Sequence, residues 1–256
     1  YSRTLIQGLF GILPDAMNNR LVIRPGFPDG WDYASVSTPD IDFDFKRNGL
    51  TDTYQVKNQF GKQLNIEFFV KVHRENIKSL TVNGKNQKWV LSENIGSPSI
   101  KIDCTGSETF EVKIEWSGNE LKSIDYQNKG VNGEQWTLNS SIDILKIYDP
   151  QSILSNSKHK VNTLSGILKG ETGHRTLFVQ TKQGQMTWWQ PVHIEIQEPF
   201  LVEYNAESTK LEFSLKNNYQ TSANIKLYVN KDSENYTQSV NLKSGEISTL
   251  ISIPID

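Results

Sequence analysis

The stretch Leu64-Asn65-Ile66-Glu67-Phe68-Phe69-Val70-Lys71-Val72 alternates apolar and polar side chains with a period of two residues. Successive side chains of a β-strand point to opposite faces, so this period gives the strand one apolar face and one face in water. Phe69 is the exception on the polar face. The stretch therefore predicts an antiparallel strand with one buried side.

The same alternation dominates the chain from residue 20 onward and recurs clearly in Phe110–Trp116. Asn83-Gly84 predicts a two-residue hairpin, because both residues tolerate positive φ. Only Ser2–Leu13 has apolar residues at helical spacing, and Pro14 ends that segment. The predicted fold class is all-β, with two consecutive antiparallel β-sandwich domains, the second immunoglobulin-like, after a short N-terminal helical or irregular segment.

A domain boundary is predicted after Ser117-Gly118-Asn119, the first strong turn that follows a long alternating strand. Residues 119–141 are polar and rich in Gly and Asn, as linkers commonly are. We therefore assign residues 1–118 to the first sandwich, and residues 119–256 to a linker and a second sandwich.

Composition excludes several classes of partner. The 27 Lys and Arg residues are scattered among 29 Asp and Glu residues, and the formal net charge of the 256 residues is −2. Nucleic-acid binding needs a concentrated cationic face, so we expect no nucleic-acid partner. The apolar runs are far shorter than a membrane-spanning helix, so we expect no membrane span. The single cysteine, Cys104, excludes an internal disulfide.

No metal or cofactor is predicted. Asp40, Asp42 and Asp44 sit two apart, but the alternation points them to the solvent face and no EF-hand Gly or Glu follows at the required positions. The histidines lie far apart, without the spacing of a zinc site. They are His73, His159, His174 and His193.

No catalytic residue is predicted either. Serines occur in no Gly-x-Ser-x-Gly context, and Cys104 has no patterned histidine beside it, so a structural thiol is the better interpretation. Glycoside hydrolysis needs two carboxylates about 5 to 9 Å apart. Any pair of acidic strands can imitate that spacing, so the abundance of Asp and Glu does not identify an enzyme.

Aromatic residues supply the one candidate binding site. Trp188 and Trp189 are adjacent, so on a strand one should enter the core and the other should be displayed or lie in an interface. A displayed indole can stack on the apolar C–H face of a sugar. We name Trp188 and Trp189 as candidate carbohydrate-binding residues, with core or interface packing as the alternative. Trp31, in a Pro-rich turn, is interpreted as an anchor against a preceding domain.

The N-terminal fifty residues carry a family resemblance. The elements GLFGILPDA at residues 8–16, LVIRPGFP at residues 21–28, Trp31 and STPDI at residues 37–41 occur in this order. They resemble the seam of many bacterial glycoside hydrolases in which an (α/α)6 barrel ends and a β-sandwich begins. Residues 148–192 resemble, less specifically, the tails of large Bacteroidetes proteins of this group.

The resemblance implies a C-terminal β-sandwich region that lacks the barrel of a glycoside-hydrolase-like protein. It implies an exported polysaccharide-degrading system, hence a periplasmic, cell-surface or extracellular location, with its own upstream barrel domain and polysaccharide as partners. The acid and base of such enzymes belong to the barrel, so no catalytic residue carries over. Leu5–Phe10, which would pack on that barrel, should expose apolar surface in this chain.

Three functional hypotheses remain open at this stage. The first is a non-catalytic accessory and structural region that also contacts glycan. The second is a β-sandwich glycosidase or lyase in its own right, which two facing carboxylates with a raised pKa would favour. The third is a carbohydrate-binding or adhesion module, which an exposed aromatic platform would favour.

Overall fold

The computed structural model describes residues 3–61, 64–92, 94–105, 107–206, 210–231 and 234–254. A π-helical segment spans Thr4–Leu9 and a short 3-10 helix spans Ala16–Asn18. The other regular elements of the described residues are β-strands. The all-β prediction is therefore confirmed.

The chain forms two compact units, each made of several segments. The first unit contains Tyr1–Ile124, Ser141–Lys146 and Val179–Pro191. The second contains the rest, namely Asp125–Ser140, Ile147–Phe178 and Val192–Asp256.

One sheet of the first unit has the order β1-β2-β6-β10-β9. Its strands are β1 (Ile12–Asp15), β2 (Arg20–Ile23), β6 (Asn65–Lys71), β9 (Trp89–Ser92) and β10 (Ser99–Cys104). The pairing of β2 with β6 is parallel, and the other neighbouring strands of this sheet pair antiparallel. The alternating stretch that opens the sequence argument thus lies at the centre of this sheet.

The other sheet of the first unit has the order β3-β4-β5-β11-β7-β8 and is antiparallel throughout. Its strands are β3 (Tyr33–Ser37), β4 (Ile41–Asn48), β5 (Thr51–Asn58), β7 (Arg74–Val82), β8 (Lys85–Asn86) and β11 (Thr109–Glu120). Asn83 and Gly84, both at positive φ, form the predicted turn between β7 and β8.

The two sheets pack face to face. Phe68 of β6 meets two rings of the opposite sheet, with its ring centroid 6.4 Å from that of Phe43 and 5.0 Å from that of Tyr54. The alternation predicts that Ile66, Val70 and Phe43 point inward, and all three are buried. The first unit is therefore a β-sandwich with an aromatic core.

The N-terminal segment joins this core more closely than expected. Leu5 is exposed, as predicted, but Phe10 is buried and its ring lies 5.3 Å from Phe27 and 5.7 Å from Phe43. Gly11, at φ +63, has the carbonyl oxygen of Arg24 only 1.9 Å from the place a Cβ would occupy. The prediction of an open apolar segment thus holds for Leu5 and is wrong for Phe10, because a residue at a strand entrance can turn into the sandwich.

Two further sheets occupy the middle of the chain, with orders β12-β18-β17-β14 and β13-β16-β15. The strands of the first are β12 (Lys129–Val131), β14 (Asp143–Tyr148), β17 (Gly173–Gln183) and β18 (Met186–Gln197). Those of the second are β13 (Gln135–Asn139), β15 (Leu154–Lys160) and β16 (Thr163–Leu168). The β12–β18 pair is parallel.

The last strands of the second unit form sheets of their own, with orders β19-β20-β23 and β21-β22. Their bounds are β19 (Phe200–Ala206), β20 (Lys210–Asn217), β21 (Ala223–Lys231), β22 (Glu234–Leu242) and β23 (Ile251–Pro254). Four buried residues make their shared core, which are Phe213, Leu215, Leu242 and Ile251.

The predicted boundary between residues 118 and 119 stays a prediction. The first continuous segment of the first unit ends close to it, at Ile124. The tip of the β17–β18 hairpin also belongs to the first unit. There the backbone N–H of Gln185 donates to the carbonyl of Glu75, and Gln183 Nε2 donates to the Glu75 carboxylate at 3.0 Å. Alternation identifies strands but not the strands they pair with, so the sequence could not assign this hairpin.

Candidate glycan-contact site in the first unit

The two predicted tryptophans alternate as expected on β18. Trp188 is 3% exposed and lies in the core, whereas Trp189 is half-buried. The backbone N–H of Trp189 donates to Asn94 at 3.1 Å, and its carbonyl accepts from Gly96 at 2.8 Å. Trp188 thus packs in the core, and of the two residues only Trp189 has part of its side chain exposed to solvent. Carbohydrate binding by either residue stays a prediction.

A more exposed indole lies in the Pro-rich turn, where Trp31 is 42% exposed. Its ring is stacked on Phe27, with centroids 6.1 Å apart and planes at 19°. Phe27 is stacked in turn on Phe45 at 5.3 Å, and Phe45 on the buried Tyr54 at 4.9 Å. These four rings form an aromatic column that leads from solvent into the core, so Trp31 is held as a rigid platform rather than a loose surface side chain.

A buried ion pair between Arg47 and Asp52 lies beside this column, with the Arg47 guanidinium 5.5 Å from the centroid of the Phe45 ring. Asp52 is fully buried and accepts two hydrogen bonds from Arg47, from Nε at 2.6 Å and from Nη2 at 2.9 Å. Trp116 Nε1 donates to the same carboxylate at 3.0 Å. The hydrogen bonds that Arg47 donates to Asp52 raise the pKa of the Arg47 guanidinium. Because a buried carboxylate with three donors is fully engaged, Asp52 fixes the position of Arg47 rather than offering itself to a ligand.

His73 lies beside this pair, edge-on to Trp116 with ring centroids 6.1 Å apart. Burial, followed by the positive charge of Arg47, lowers its pKa from 6.5 to about 4. The imidazole is therefore neutral at neutral pH, and it can donate or accept a hydrogen bond without adding positive charge to this surface.

Lys71 stands at the junction of three depressions of this surface. The first lies between Trp31, Arg47 and His73, and the second, of about 410 Å³, extends past Trp116. The third, of about 430 Å³, is lined by Arg24, Phe69 and the loop of residues 94–99. We call the three together the Lys71 groove. A groove with an aromatic platform and several polar groups has the composition of a ligand site.

The outer end of the groove explains the exceptional Phe69. The guanidinium of Arg24 lies over the Phe69 ring, 4.3 Å from its centroid. A cation over an aromatic face is attracted by the ring quadrupole, so Phe69 holds an exposed Arg24 side chain in place. The apolar residue on the polar face thus has a structural role at the groove.

The clearly shifted carboxyl groups do not have the property of a general acid. Hydrogen-bond donors lower the pKa of Asp15, Asp29, Glu75 and Glu115, led respectively by Asn18, Lys71, Asn119 and Ser79. A general acid in glycoside hydrolysis needs a raised pKa at neutral pH. At these four positions the carboxylate form is stabilised, which suits binding and ion pairing.

The remaining candidates have structural roles. Ile41, Phe43 and Phe45 are buried, which confirms that Asp42 and Asp44 belong to the other face of β4. Cys104 is buried, and burial raises the pKa of its thiol to about 12, which favours the structural interpretation of this thiol.

The described residues contain no group of three or more His, Cys, Asp or Glu side chains that could hold a metal ion. Within the same part of the chain, no helix combines the length and the hydrophobicity needed to cross a membrane.

Comparison with known proteins gives little further information. No protein-family model and no curated protein matches the chain. Among solved structures, the chain is similar to Escherichia coli alpha-2-macroglobulin activated by porcine elastase, with 10% identity and a TM-score of 0.22. The match covers 84% of this chain and 30% of that chain. A TM-score this low supports no argument about fold or function.

Sequence reasoning missed Trp31, Asp52 and His73 as parts of one site. One available signal was the sequence Pro25-Gly-Phe-Pro-Asp-Gly-Trp31, because an aromatic residue in a surface loop between Pro and Gly residues is a common ligand contact. Asp52 gave no such signal, since its partner Arg47 becomes a neighbour only through the β4–β5 pairing.

Proposed function

We propose that this chain is a non-catalytic accessory β-sandwich region of a glycoside-hydrolase-like protein, and that its first unit contacts polysaccharide at the Lys71 groove. The observation that carries the proposal is Trp31, an indole 42% exposed and stacked on Phe27 beside Arg47 and His73. The family resemblance of residues 8–41 supplies the polysaccharide context. It also supplies the proposed partner, an upstream barrel, and the proposed periplasmic or cell-surface location.

The site is better suited to binding than to hydrolysis. Asp52, the most buried acid beside the groove, is occupied by Arg47 and Trp116. Asp29, which is exposed at the groove, has a pKa lowered by the hydrogen bond from Lys71. Neither carboxyl therefore has the properties of a proton donor to a glycosidic oxygen.

A single stacking aromatic contributes on the order of 1 kcal/mol beyond the burial of its area. Together with a few hydrogen bonds this gives affinities in roughly the millimolar range. We therefore expect weak binding per site, as suits a region that keeps a polymer close to a separate catalytic domain.

The test is to replace Trp31 by Ala and to measure polysaccharide binding by affinity electrophoresis and calorimetry. We expect W31A to lose binding by about tenfold, which corresponds to the roughly 1.4 kcal/mol of a lost stacking contact. The matched control is Tyr33→Ala, because Tyr33 is also exposed but lies on β3 outside the groove. Trp189→Ala tests the tryptophan named from the sequence in the same assay.

The outcomes separate the hypotheses. Loss of binding in W31A at unchanged melting temperature supports the proposal. Loss in W189A alone would move the site to β18. Hydrolysis of a glycan that disappears with one Asp or Glu substitution would identify an enzyme instead.

A further inference from the structure

The three depressions of the Lys71 groove share lining residues. Arg47, Lys71 and His73 line both the Trp31 depression and the Trp116 depression. Pro25 and Lys71 line both the Trp31 depression and the one beneath Arg24. A sugar chain that stacks on Trp31 therefore has Lys71 and Arg24 in the neighbouring depressions.

The charged side chains of the groove differ in how strongly they are engaged. Arg47 is bound to the fully buried Asp52 and is itself mostly buried. Arg74 pairs with Glu120 at 3.1 Å. Lys71 also has a carboxylate partner, the exposed Asp29, whereas Arg24 has none among the described residues.

Arg24 forms no ion pair among the described residues of the chain, although it is exposed. Its guanidinium carbon lies 4.3 Å from the centroid of the Phe69 ring, and Arg24 lines the third depression together with Lys71. A planar guanidinium matches a carboxylate or sulfate group through two parallel hydrogen bonds. Arg24 therefore offers a guanidinium that has no carboxylate partner among the described residues.

Lys71 has a partner that is easily replaced. Its Nζ lies 2.6 Å from Asp29 Oδ1, with the two side chains 42% and 69% exposed. Exposed ion pairs contribute little to stability, because water solvates both charges well. An anionic group entering the groove can take the place of Asp29 at little cost.

We infer that the polysaccharide bound at the Lys71 groove is acidic, with sugar rings stacked at Trp31 and a carboxylate or sulfate group bound by Arg24 and Lys71. This inference rests on the proposed function, and adds to it the chemical class of the glycan. The shared chemistry is an oxyanion attached to a sugar ring. Uronic acids and sulfate esters are its two sources.

The experiment compares two matched pairs of polymers by affinity electrophoresis and calorimetry at low and high salt. Polygalacturonate is paired with its neutral methyl ester, and dextran sulfate with dextran. We expect the wild-type chain to bind at least one acidic polymer about tenfold more tightly than its neutral counterpart, with the difference shrinking at high salt as screening increases.

Two substitutions locate the interaction. Arg24→Gln should weaken binding of the acidic polymer by about tenfold and leave the neutral polymer unchanged. Trp31→Ala should weaken both polymers, because stacking does not depend on charge. Lys78→Gln is the control, since it removes the same charge from an exposed ion pair with Glu115 on another part of the sandwich and should change neither.

The failures can be told apart. Equal binding of acidic and neutral polymers, with W31A weakening both, would overturn the acidic class and leave the proposed function standing. An effect of Lys78→Gln as large as that of Arg24→Gln would also overturn it, because attraction would then come from overall charge. Absence of binding to all four polymers would contradict both proposals. Binding to one acidic polymer alone supports the inference and identifies the source of the oxyanion.

Discussion

The first sandwich and the last five strands show how differently one sequence pattern can be used. Both alternate apolar and polar residues, yet the first sandwich buries Phe43, Phe68 and Phe110 completely. The core of β19–β23 consists of four buried residues, and Val202, Tyr204 and Tyr228 remain exposed beside it. An apolar depression of about 330 Å³ opens between Val202 and Leu227.

The difference teaches that alternation specifies which face is apolar but not how well that face is covered. In the first sandwich two sheets of five and six strands cover each other. The last strands divide into sheets of three and two, so less area is available to cover either apolar face. Burial of apolar area contributes about 25 cal/mol per Å², so we expect the first sandwich to be the more stable region.

The largest expected effect compares matched core substitutions. Phe43→Ala should cost about 3–5 kcal/mol, because a fully buried ring leaves a cavity in a closely packed core. Phe213→Ala should cost about 2 kcal/mol, since Phe213 borders the open depression and water can replace the lost ring. Hydrogen exchange in increasing urea, resolved by peptide, measures each region separately. Equal free-energy costs of the two substitutions would contradict the expected difference in packing between the two regions.

A smaller effect concerns the buried charge of the first sandwich. Asp52→Asn should cost about 3 kcal/mol, because the amide leaves Arg47 in a mostly buried place without its counter-charge. The control is Asp103→Asn, which removes an exposed partner of Lys101 and should cost less than about 1 kcal/mol. Urea unfolding of both variants checks this. Similar midpoints would mean that Asp52 is not needed to hold Arg47.

The dependence of stability on pH follows from His73. The unfolded state binds a proton near pH 6.5 and the folded state only near pH 4, so stability attributed to neutral His73 is present above pH 6.5 and is lost as the pH falls toward 4. This fall in pKa corresponds to about 3 kcal/mol, which partial solvent exposure reduces to about 2 kcal/mol.

The measurement compares unfolding of the wild type and of His73→Gln between pH 7 and pH 4. Subtracting the two profiles removes the contributions of the acidic residues that both proteins share. The difference should be confined to the first unit. A wild-type profile parallel to that of H73Q would contradict the assignment.

The smallest expected effect concerns the exposed face of the last five strands. Tyr228→Ser in β21 should change the free energy of unfolding by less than about 0.5 kcal/mol, because the side chain is 69% exposed. A cost above about 1 kcal/mol would show that this face is covered in solution. Sedimentation of the wild type would then identify a second copy of the chain as the cover.

Local sequence pattern predicted the strands because a strand's period is a property of neighbouring residues. The alternation at residues 64–72 and 110–116 and the Asn83-Gly84 turn are all present as expected. The adjacent Trp188 and Trp189 also divide between core and partial exposure as expected.

Contacts between distant residues could not be predicted in the same way. Arg24 comes to lie over Phe69 because β2 pairs in parallel with β6, a register that no local period specifies. The pKa of His73 is lowered first by burial and then by the charge of Arg47, which β4 contributes. The candidate site at the Lys71 groove is built from such contacts, so local sequence pattern could not bring its residues together, and binding at Trp188 or Trp189 stays a prediction.

The β17–β18 hairpin tip belongs to the first unit but is synthesised long after the rest of that unit. Domains usually fold from the N-terminus as the chain leaves the ribosome, at about 5–20 residues per second. Here the carbonyl and carboxylate of Glu75 receive their donors from Gln183 and Gln185 only after most of the chain has been made. During translation Glu75 therefore lacks these donors until a segment encoded more than a hundred codons downstream of it has been made.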